Sequence, residues 1–156
     1  MEVSPNILFA KLTPEARNPT RAHTTDAGFD LYSIDADIVG PRKISIINTG
    51  IQVAIPKGWV GLVCPRSGMA ANYGVTVINS PGIIDSGYRG PIKVILTAET
   101  AIQVKPGDKV AQLVVVPYLV NAKNVPYLED SDETDRGSDG FGSTDDSPDT
   151  TPPSAA

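Results

Sequence analysis

The sequence predicts one all-β domain of the sandwich or barrel type, followed by an acidic tail. Its apolar runs are short, are separated by turn residues and show almost no helical periodicity. Glycine and proline number 14 each among the 156 residues, which favours many turns over long helices. After about Leu128 the residues Asp, Ser, Thr, Gly and Pro dominate, and no core can form there. We therefore expect a β-rich domain over residues 1–128 and a flexible acidic arm over residues 129–156.

The N-terminal part of the chain predicts short strands joined by polar segments. Residues 13–25 contain two prolines and several polar residues, so they are predicted as a loop. The alternation of apolar residues changes phase at residues 48–50, which indicates a strand, a bulge and a second strand. The predicted strands are residues 7–12, a short strand fed by a turn within residues 26–33, and the segments around Ile44 and Ile46 and around Ile51, Val53 and Ile55.

The rest of the domain predicts further strands and one short helix. Ser67 is a good N-cap, and the residues after it are compatible with a helix that extends to about Tyr73. A Lys-Pro-Gly-Asp turn at residues 105–108 separates the last two strands. The predicted strands are residues 59–64, 75–78, 92–96, 102–104 and 110–116.

Residues 79–90, with the sequence NSPGIIDSGYRG, are the stretch around which the other elements are organised. Turn signals lie at Pro81-Gly82 and at Ser86-Gly87, and strand-like runs flank the stretch, so we expect a tight hairpin or paired loop. Its glycines allow another molecule to approach the backbone closely. The stretch carries a carboxylate, an aromatic ring and an amide, from Asp85, Tyr88 and Asn79. By itself it is equally compatible with a turn that has no chemical role.

Three further signals are weak when each is taken alone. Arg66 before an N-cap serine can form an anion site with the free amides of a helix N-terminus, but the segment taken alone favours ordinary capping beside a surface arginine. Gln112 is a polar residue inside an apolar strand, which usually means a solvent-facing position. Arg136 and Phe141 are the tail's only basic and only large apolar residues. They indicate either an arm that docks on a surface or a linker remnant.

The charge distribution favours a small anionic ligand. From Glu129 onward the chain has nine acidic residues and one basic residue, whereas residues 1–128 hold twelve Lys and Arg against nine Asp and Glu. The body is therefore mildly basic, without the clustered basic face that a nucleic-acid partner needs. No apolar run is long enough to cross a membrane, and the N-terminus is unlike a secretory signal. The single cysteine, Cys64, is predicted as a small core residue, and we expect a cytoplasmic protein.

Five segments together resemble the ordered motifs of the trimeric dUTPases, the deoxyuridine triphosphate nucleotidohydrolases. They are DAGFDLYS at 26–33, PRSGMA at 65–70, NSPGIIDSGYRG at 79–90, GDKVAQLVV at 107–115 and RGSDGFGST at 136–144. The resemblance extends from Lys11 to Thr144. It implies a jelly-roll subunit and a homotrimer with three shared active sites. It also implies hydrolysis of dUTP to dUMP and pyrophosphate with Mg²⁺, which keeps uracil out of DNA and supplies dUMP for thymidylate synthesis.

The resemblance assigns roles to the residues of the central stretch. Asp85 is expected to be the general base for the water that attacks the α-phosphorus. Tyr88 is expected to lie under the deoxyribose, where a 2′-hydroxyl would have to go, and Lys93 near the nucleotide. The uracil edge is expected to be recognised by the Asn79 side chain and by the main chain near Gly82, Ile83 and Ile84.

The resemblance also assigns the phosphate and metal contacts. Arg66, Ser67 and Gly68 are expected to hold the phosphates. Asp30 and Gln112 are expected to contact Mg²⁺ only through its waters, with Gln112 also near the substrate and no direct protein ligand to the metal. The arm residues expected to close over the substrate are Arg136, Gly142, Ser143 and Thr144 on the γ-phosphate and Phe141 on the uracil.

Two positions depart from the family pattern, because Asp139 and Asp145 stand where glycine is usual. We expect an active enzyme with weaker arm closure. One alternative is a dCTP deaminase relative, which needs a core catalytic glutamate, and Glu99 is the candidate in the second half of the body. Another alternative is a regulatory or binding protein that retains the dUTPase fold.

Overall fold

The structure, a computed structural model, describes residues 6–127, and these residues form an all-β fold as predicted. Contacts divide the chain into two units, Met1–Val120 and Asn121–Ala156. Every helix and strand among residues 6–127 lies in the first unit, and residues 121–127 contain neither. The elements are β1 (Leu8–Lys11), β2 (Gly28–Tyr32), β3 (Asp37–Val39), β4 (Ser45–Asn48), β5 (Ile51–Ala54), β6 (Trp59–Cys64), α1 (Ser67–Tyr73), β7 (Thr76–Val77), β8 (Gly82–Ile84), β9 (Lys93–Thr97), β10 (Ile102–Val104) and β11 (Lys109–Pro117).

The strands form two larger sheets and two strand pairs, and all pairings are antiparallel. One sheet has the order β2-β11-β6-β8, and a second has the order β4-β9-β7. The remaining pairs are β1 with β5 and β10 with β3. Because β8 is the last strand of the four-stranded sheet, one of its edges has no strand partner within residues 6–127.

Aliphatic side chains from all of these sheets form one core. Leu31, Ile47, Leu96 and Leu113 are completely buried. Burying each such side chain stabilises the fold by about 1.5–3 kcal/mol before the cost of ordering the chain. Burial alternates with a period of two along parts of β4, β6 and β9, so each of these strands has one buried face and one more accessible face.

The predicted bulge at residues 48–50 was wrong, because β4 and β5 belong to different sheets. β4 pairs with β9, whereas β5 pairs with β1. Gly50 lies between them with a φ of 67°, a left-handed conformation that allows the chain to turn from one sheet to the other. Ile44 and Ile46 do share a face, but it is exposed, and the buried residues of β4 are Ser45 and Ile47.

Residues 79–90, predicted as a tight hairpin or paired loop, form more than a hairpin turn. The flanking strands β7 and β9 do pair with each other. The chain between them, however, leaves that sheet and forms β8, in which Gly82 and Ile84 lie across from Val63 and Gly61 of β6. The stretch therefore connects the two larger sheets. The Ser80–Pro81 peptide bond at its start is cis.

Helix α1 begins at Ser67, so Ser67 is not its N-cap as predicted. Arg66 is the N-cap, with extended backbone angles and no side-chain capping hydrogen bond. The helix ends at Gly74, whose φ of 62° is typical of a left-handed C-cap. Cys64, predicted in the core, is only half-buried, at the end of β6 beside Gln112. Among residues 6–127 no helix is long and apolar enough to cross a membrane.

Candidate active site

The residues predicted to surround a base and sugar line one cavity of about 250 Å³ beside β8, here called the β8 pocket. β8 and the loop after it place these residues because the chain crosses from one sheet to the other at this point. The predicted residues that line it are Asn79, Gly82, Ile83, Ile84, Asp85, Tyr88 and Lys93.

Two features make the β8 pocket suited to a flat polar ring. The first is the unpaired edge of β8, which presents main-chain N–H and C=O groups as a sheet edge does. The second is the approach of Asn79 to Gly82, where a Cβ atom on residue 82 would lie 3.2 Å from Nδ2 of Asn79 and 3.3 Å from the Cβ of Val63. Glycine at position 82 therefore leaves the Asn79 amide its place in the pocket.

The turn after β8 holds Tyr88 in position. The Tyr88 hydroxyl donates a 3.0 Å hydrogen bond to the carbonyl of Pro91, and the ring lies so close to Gly90 that a Cβ atom there would overlap the hydroxyl. Arg89 donates from Nη1 to the carbonyls of Ser86 and Tyr88, each at 2.7 Å. Asp85 is exposed, and its carbonyl accepts a hydrogen bond from the amide of Tyr88. The same turn therefore positions both the Asp85 carboxylate and the Tyr88 ring.

The residues predicted to contact phosphate and metal line a second cavity, of about 450 Å³, here called the β2 pocket. It lies where β2, β11 and the start of α1 meet, and it shares no lining residue with the β8 pocket. The predicted residues that line it are Asp30, Arg66, Ser67, Gly68 and Gln112.

Asp30 is the centre of the β2 pocket and is held by two cations. Nε of Arg66 lies 3.0 Å from Oδ1 of Asp30, and Nζ of Lys109 lies 2.7 Å from Oδ2. The Asp30 side chain is only 15% exposed, so these contacts compensate a largely buried carboxylate. The hydrogen bond to Asp30 raises the pKa of Lys109 above its ordinary value and keeps this side chain charged. Arg66 is therefore more than a surface arginine beside a helix.

Gln112 lies directly across from Asp30 in the β11–β2 ladder and is half-buried rather than solvent-facing. Its Nε2 donates a 2.9 Å hydrogen bond to the carbonyl of Pro65. Its Oε1 lies over Gly28, and a Cβ atom on residue 28 would overlap this oxygen and lie 3.2 Å from Cδ. The absence of a side chain at Gly28 thus makes room for the Gln112 amide beside the Asp30 carboxylate.

The donor set of the β2 pocket fits a hydrated Mg²⁺ ion. Asp30 and Gln112 provide carboxylate and amide oxygens from adjacent strand positions, and oxygen is the ligand that Mg²⁺ prefers. Within residues 6–127, no three His, Cys, Asp or Glu side chains come together as a metal cage. Mg²⁺ usually retains several waters and takes its other ligands from substrate phosphates. Such an ion needs no more from the protein than this pair of oxygens.

The two pockets lie apart on one chain. Ile84 lies across from Gly61, and Asp85 follows it in the direction away from the C-terminal end of β6. Arg66 comes two residues after that end. Asp85 is thus level with Val60, six residues before Arg66, and at about 3.3 Å per residue the two lie roughly 20 Å apart along the strand direction. In a working site, the attacking water held by the base must lie about 3–3.5 Å from the phosphorus that it attacks. The base and the groups that hold the phosphates must therefore be close together.

Some predicted residues lie elsewhere. Arg136, Phe141, Gly142, Ser143 and Thr144, with Asp139 and Asp145, are outside the described residues. Glu99, the candidate for a deaminase glutamate, is exposed and lines neither pocket. Its side chain packs beside Gly74, where a Cβ atom would lie 2.5 Å from Cγ of Glu99.

The sequence analysis missed three residues that build the pockets: Gly28, Arg89 and Lys109. Lys109 directly precedes the predicted strand 110–116, and its position at a bulge could not be inferred from apolar spacing. All three residues lie inside the dUTPase-like motifs, but the roles of Gly28 and Arg89 depend on contacts with Gln112 and with two main-chain carbonyls, which the motifs do not reveal.

Comparisons with known proteins point to one family. The family model described as dUTPase matches residues 14–145. The deoxyuridine 5'-triphosphate nucleotidohydrolase of Mycolicibacterium gilvum (strain PYR-GCK) is 42% identical over 149 residues, which cover 91% of this chain and 96% of that protein. The protein of the same description from Clostridium tetani (strain Massachusetts / E88) is 45% identical over 136 residues, which cover 85% of this chain and 92% of that protein.

Solved structures show the same fold. A mutant dUTPase of Staphylococcus bacteriophage 80alpha with dUpNHpp has a TM-score of 0.79 at 28% identity, with 90% of this chain and 98% of that chain covered. A mutant dUTPase from phage phi11 of S. aureus, described with a structural Mg(II) ion, has a TM-score of 0.72 at 28% identity, with 79% of this chain and 98% of that chain covered. With these neighbours, the predicted all-β jelly-roll class is confirmed.

Proposed function

The chain belongs to the dUTPase family, and we propose on this premise that it hydrolyses dUTP to dUMP and pyrophosphate. One observation carries the proposal: the β8 pocket brings an exposed carboxylate, an amide, a tyrosine ring and an open strand edge together in a single cavity. The amide and the strand edge suit a nucleobase, the tyrosine ring suits a sugar, and the carboxylate suits an attacking water. Hydrolysis of dUTP keeps uracil out of DNA and supplies dUMP for thymidylate synthesis.

The uracil is proposed to hydrogen-bond to the open edge of β8 as a neighbouring strand would. Uracil presents a donor between two acceptors, and the open edge of β8 offers main-chain groups of both kinds, with the Asn79 amide beside them. Cytosine would offer a donor where uracil has an acceptor and would leave a polar group unpaired, which costs about 1–3 kcal/mol. The closely packed chain around β8 would leave no room for the methyl group of thymine. The Tyr88 ring, which is hydrogen-bonded to the carbonyl of Pro91 and packed against Gly90, would occupy the place of a 2′-hydroxyl.

The chemical step is proposed to use Asp85 as general base. The water oxygen forms a bond to the α-phosphorus, the bond from the α-phosphorus to the α,β-bridging oxygen breaks, and the water proton passes to the Asp85 carboxylate. A positioned base contributes about 10²–10⁴-fold to such a reaction. Asp85 is exposed and held at its backbone by Tyr88, so its carboxylate is available to a water molecule.

The β2 pocket is proposed to hold the triphosphate through Arg66, Ser67 and Gly68. Asp30 and Gln112 would bind Mg²⁺ through its waters, and the ion would stabilise negative charge on the phosphates when bound. Arg66 already lies in the pocket, half-buried beside Asp30, and can turn its guanidinium to a phosphate with little reorganisation.

We propose that the active site is shared between copies of the chain in a homotrimer. The separation of the two pockets supports this, because on one chain Asp85 and Arg66 are too far apart to serve the same α-phosphate. In a closed ring, the β8 pocket of one copy can face the β2 pocket of the next through a heterologous contact. Three equivalent sites then form.

We propose that the arm, residues 129–156, belongs to the same site. Arg136, Gly142, Ser143 and Thr144 would contact the γ-phosphate and Phe141 the uracil, and residues 129–156 would order when substrate binds. Lys93 lines the β8 pocket and would lie near the nucleotide. A cytoplasmic location is proposed as well, and it fits a chain with a single cysteine.

Product analysis tests the proposed function against its alternatives. The purified full chain with Mg²⁺ is incubated separately with dUTP and dCTP, and pyrophosphate, dUMP and ammonia are measured. We expect pyrophosphate and dUMP in equal amounts from dUTP and neither pyrophosphate nor ammonia from dCTP. Ammonia from dCTP would instead assign a deaminase. No turnover of either nucleotide by a folded protein would favour a binding protein with the dUTPase fold.

A further inference from the structure

A β-bulge in β11 directs Lys109 into the β2 pocket. Lys109 lies across from Tyr32, Ala111 across from Leu31 and Gln112 across from Asp30, with a register shift between Lys109 and Ala111. Residues three apart in a regular strand point to opposite faces. The extra residue, the buried Val110, resets this alternation. Lys109 and Gln112 therefore share the face that holds Asp30, and redirecting a side chain is a recognised effect of bulges beside functional sites.

The contacts of Lys109 fix its position. Its ammonium lies 2.7 Å from Oδ2 of Asp30, while Arg66 takes the other carboxylate oxygen at 3.0 Å. The ring of the buried Tyr32 lies beside Lys109, with Nζ 6.0 Å from the ring centroid. Lys109 lines the β2 pocket together with Asp30, Arg66 and Gln112.

The proposed substrate creates a problem that this arrangement can solve. Asp30 places a negative charge in the pocket that a polyanion must enter. Arg66 carries a single positive charge and contacts Asp30 through Nε, so once its Nη groups bind a phosphate this one charge is shared between two anions. Lys109 does not have to move, since its contact is with the opposite oxygen of the carboxylate.

We propose that Lys109 is a positioning residue, which compensates the charge of Asp30 and fixes its carboxylate while a nucleoside triphosphate enters the β2 pocket. The inference rests on the proposed function. Lys109 touches neither the reacting atoms nor the base. It reduces the dependence of nucleotide binding on a divalent cation, because without it an uncompensated Asp30 repels the triphosphate unless a cation is present.

Binding of a non-hydrolysable analogue, dUpNHpp, separates this role from general electrostatics. Affinity is measured by calorimetry for the wild type, Lys109→Met and Lys105→Met, once in EDTA and once in saturating Mg²⁺. Lys105 is the matched control, because it is an exposed lysine in the turn before β11 and its loss changes the net charge equally. For Lys109→Met we expect a loss of about tenfold in EDTA and less than about threefold with Mg²⁺. For Lys105→Met we expect less than about twofold in both.

Two further variants test the mechanism. In an Asp30→Asn background the charge to be compensated is gone, so adding Lys109→Met should weaken binding in EDTA by less than about twofold. Lys109→Arg keeps the charge and should stay within about threefold of the wild type in EDTA. Circular dichroism and thermal melting confirm that each variant is folded.

Each remaining outcome overturns a specific claim. An equal loss with and without Mg²⁺, or a tenfold loss that persists in the Asp30→Asn background, would show that Lys109 binds phosphate directly and would overturn the positioning role. Affinity of Lys109→Met equal to the wild type in EDTA would overturn it too. Failure of the folded wild type to bind dUpNHpp under either condition would overturn the proposed function, and this inference with it.

Discussion

Replacing Gly28 by alanine tests how the β2 pocket is built. A Cβ atom at residue 28 would overlap Oε1 of Gln112, and Cδ would be 3.2 Å away. The overlap is with the end of a flexible side chain, so we expect the amide to rotate away while the backbone of β2 stays in place. The Gln112 amide then loses its 2.9 Å hydrogen bond to the carbonyl of Pro65 and its position beside Asp30.

The expected magnitude follows from two opposing effects. The lost half-buried hydrogen bond costs about 0.5–1.5 kcal/mol. Glycine-to-alanine replacement also reduces the entropy of the unfolded chain, which stabilises the fold by about 0.4–1 kcal/mol where the backbone permits. Gly87→Ala is the matched control, because a Cβ atom there meets nothing within 4 Å and its φ is not left-handed. The entropic gain is common to both variants and cancels between them, so we expect Gly28→Ala to be less stable than Gly87→Ala by about 0.5–1.5 kcal/mol, the cost of the lost hydrogen bond.

Urea unfolding at one fixed protein concentration measures this difference, since association of copies makes apparent stability depend on concentration. A double-mutant cycle adds Gln112→Ala and the Gly28→Ala, Gln112→Ala double variant. In the Gln112→Ala background the clash is absent, and Gly28→Ala should no longer be destabilising. Two results would refute this explanation of how Gly28 places the Gln112 amide. One is that Gly28→Ala is as stable as Gly87→Ala, and the other is that Gly28→Ala destabilises the protein equally with and without the Gln112 side chain.

Three further outcomes are expected. Asp85→Asn should bind dUpNHpp as the wild type does but turn over dUTP at least about 10²-fold more slowly, and near-normal turnover would remove Asp85 as the base. Tyr88→Ala should narrow the ratio of kcat/KM between dUTP and UTP, and an unchanged ratio would mean that the 2′-position is sensed elsewhere. The hydrogen bond from Lys43, 2.6 Å from Asp37, lowers the pKa of the Asp37 carboxyl in the folded state. Lys43→Met should therefore destabilise the fold fully at pH values above the unfolded pKa of about 3.9. The difference in stability from the wild type should disappear as the pH falls through the lower pKa of the folded state. A pH-independent loss in urea unfolding would contradict this.

Local patterns were sufficient to predict most strands. Residues 59–64 and 92–96 were predicted as strands because each is a short, mainly apolar run, and their positions agree with β6 and β9 to within one residue. The helix was predicted because Ser67 is a good N-cap and the residues after it are compatible with a helix. Its first residue was misplaced because Ser67 could equally be an N-cap or the first helical residue, and Arg66 takes the cap position without a side-chain hydrogen bond.

The pairing of strands could not be predicted from the same patterns. Period-two alternation shows which face of a strand is buried but not which strand lies beside it. This is why β4 and β5 were assigned to one bulged strand and why β8 was assigned to a hairpin. The bulge that places Lys109 is invisible for the same reason, since a register shift exists only relative to the partner strand β2. Motif resemblance supplied the grouping of Asp30 with Arg66 and Gln112, which spacing along the chain does not.

The central claim, that each active site joins the β8 pocket of one copy to the β2 pocket of another, can be tested by mixing subunits. Asp85→Asn lacks the base and Arg66→Ala lacks the phosphate contact, so each variant alone should be nearly inactive. After the two are unfolded, mixed equally and refolded, a shared site is whole when Asp85 comes from one variant and Arg66 from the other. Random assembly gives this combination in about a quarter of sites, so we predict activity near a quarter of the wild type. Activity no higher than that of the separate variants, with mixed assemblies confirmed by native mass spectrometry, would contradict a shared site.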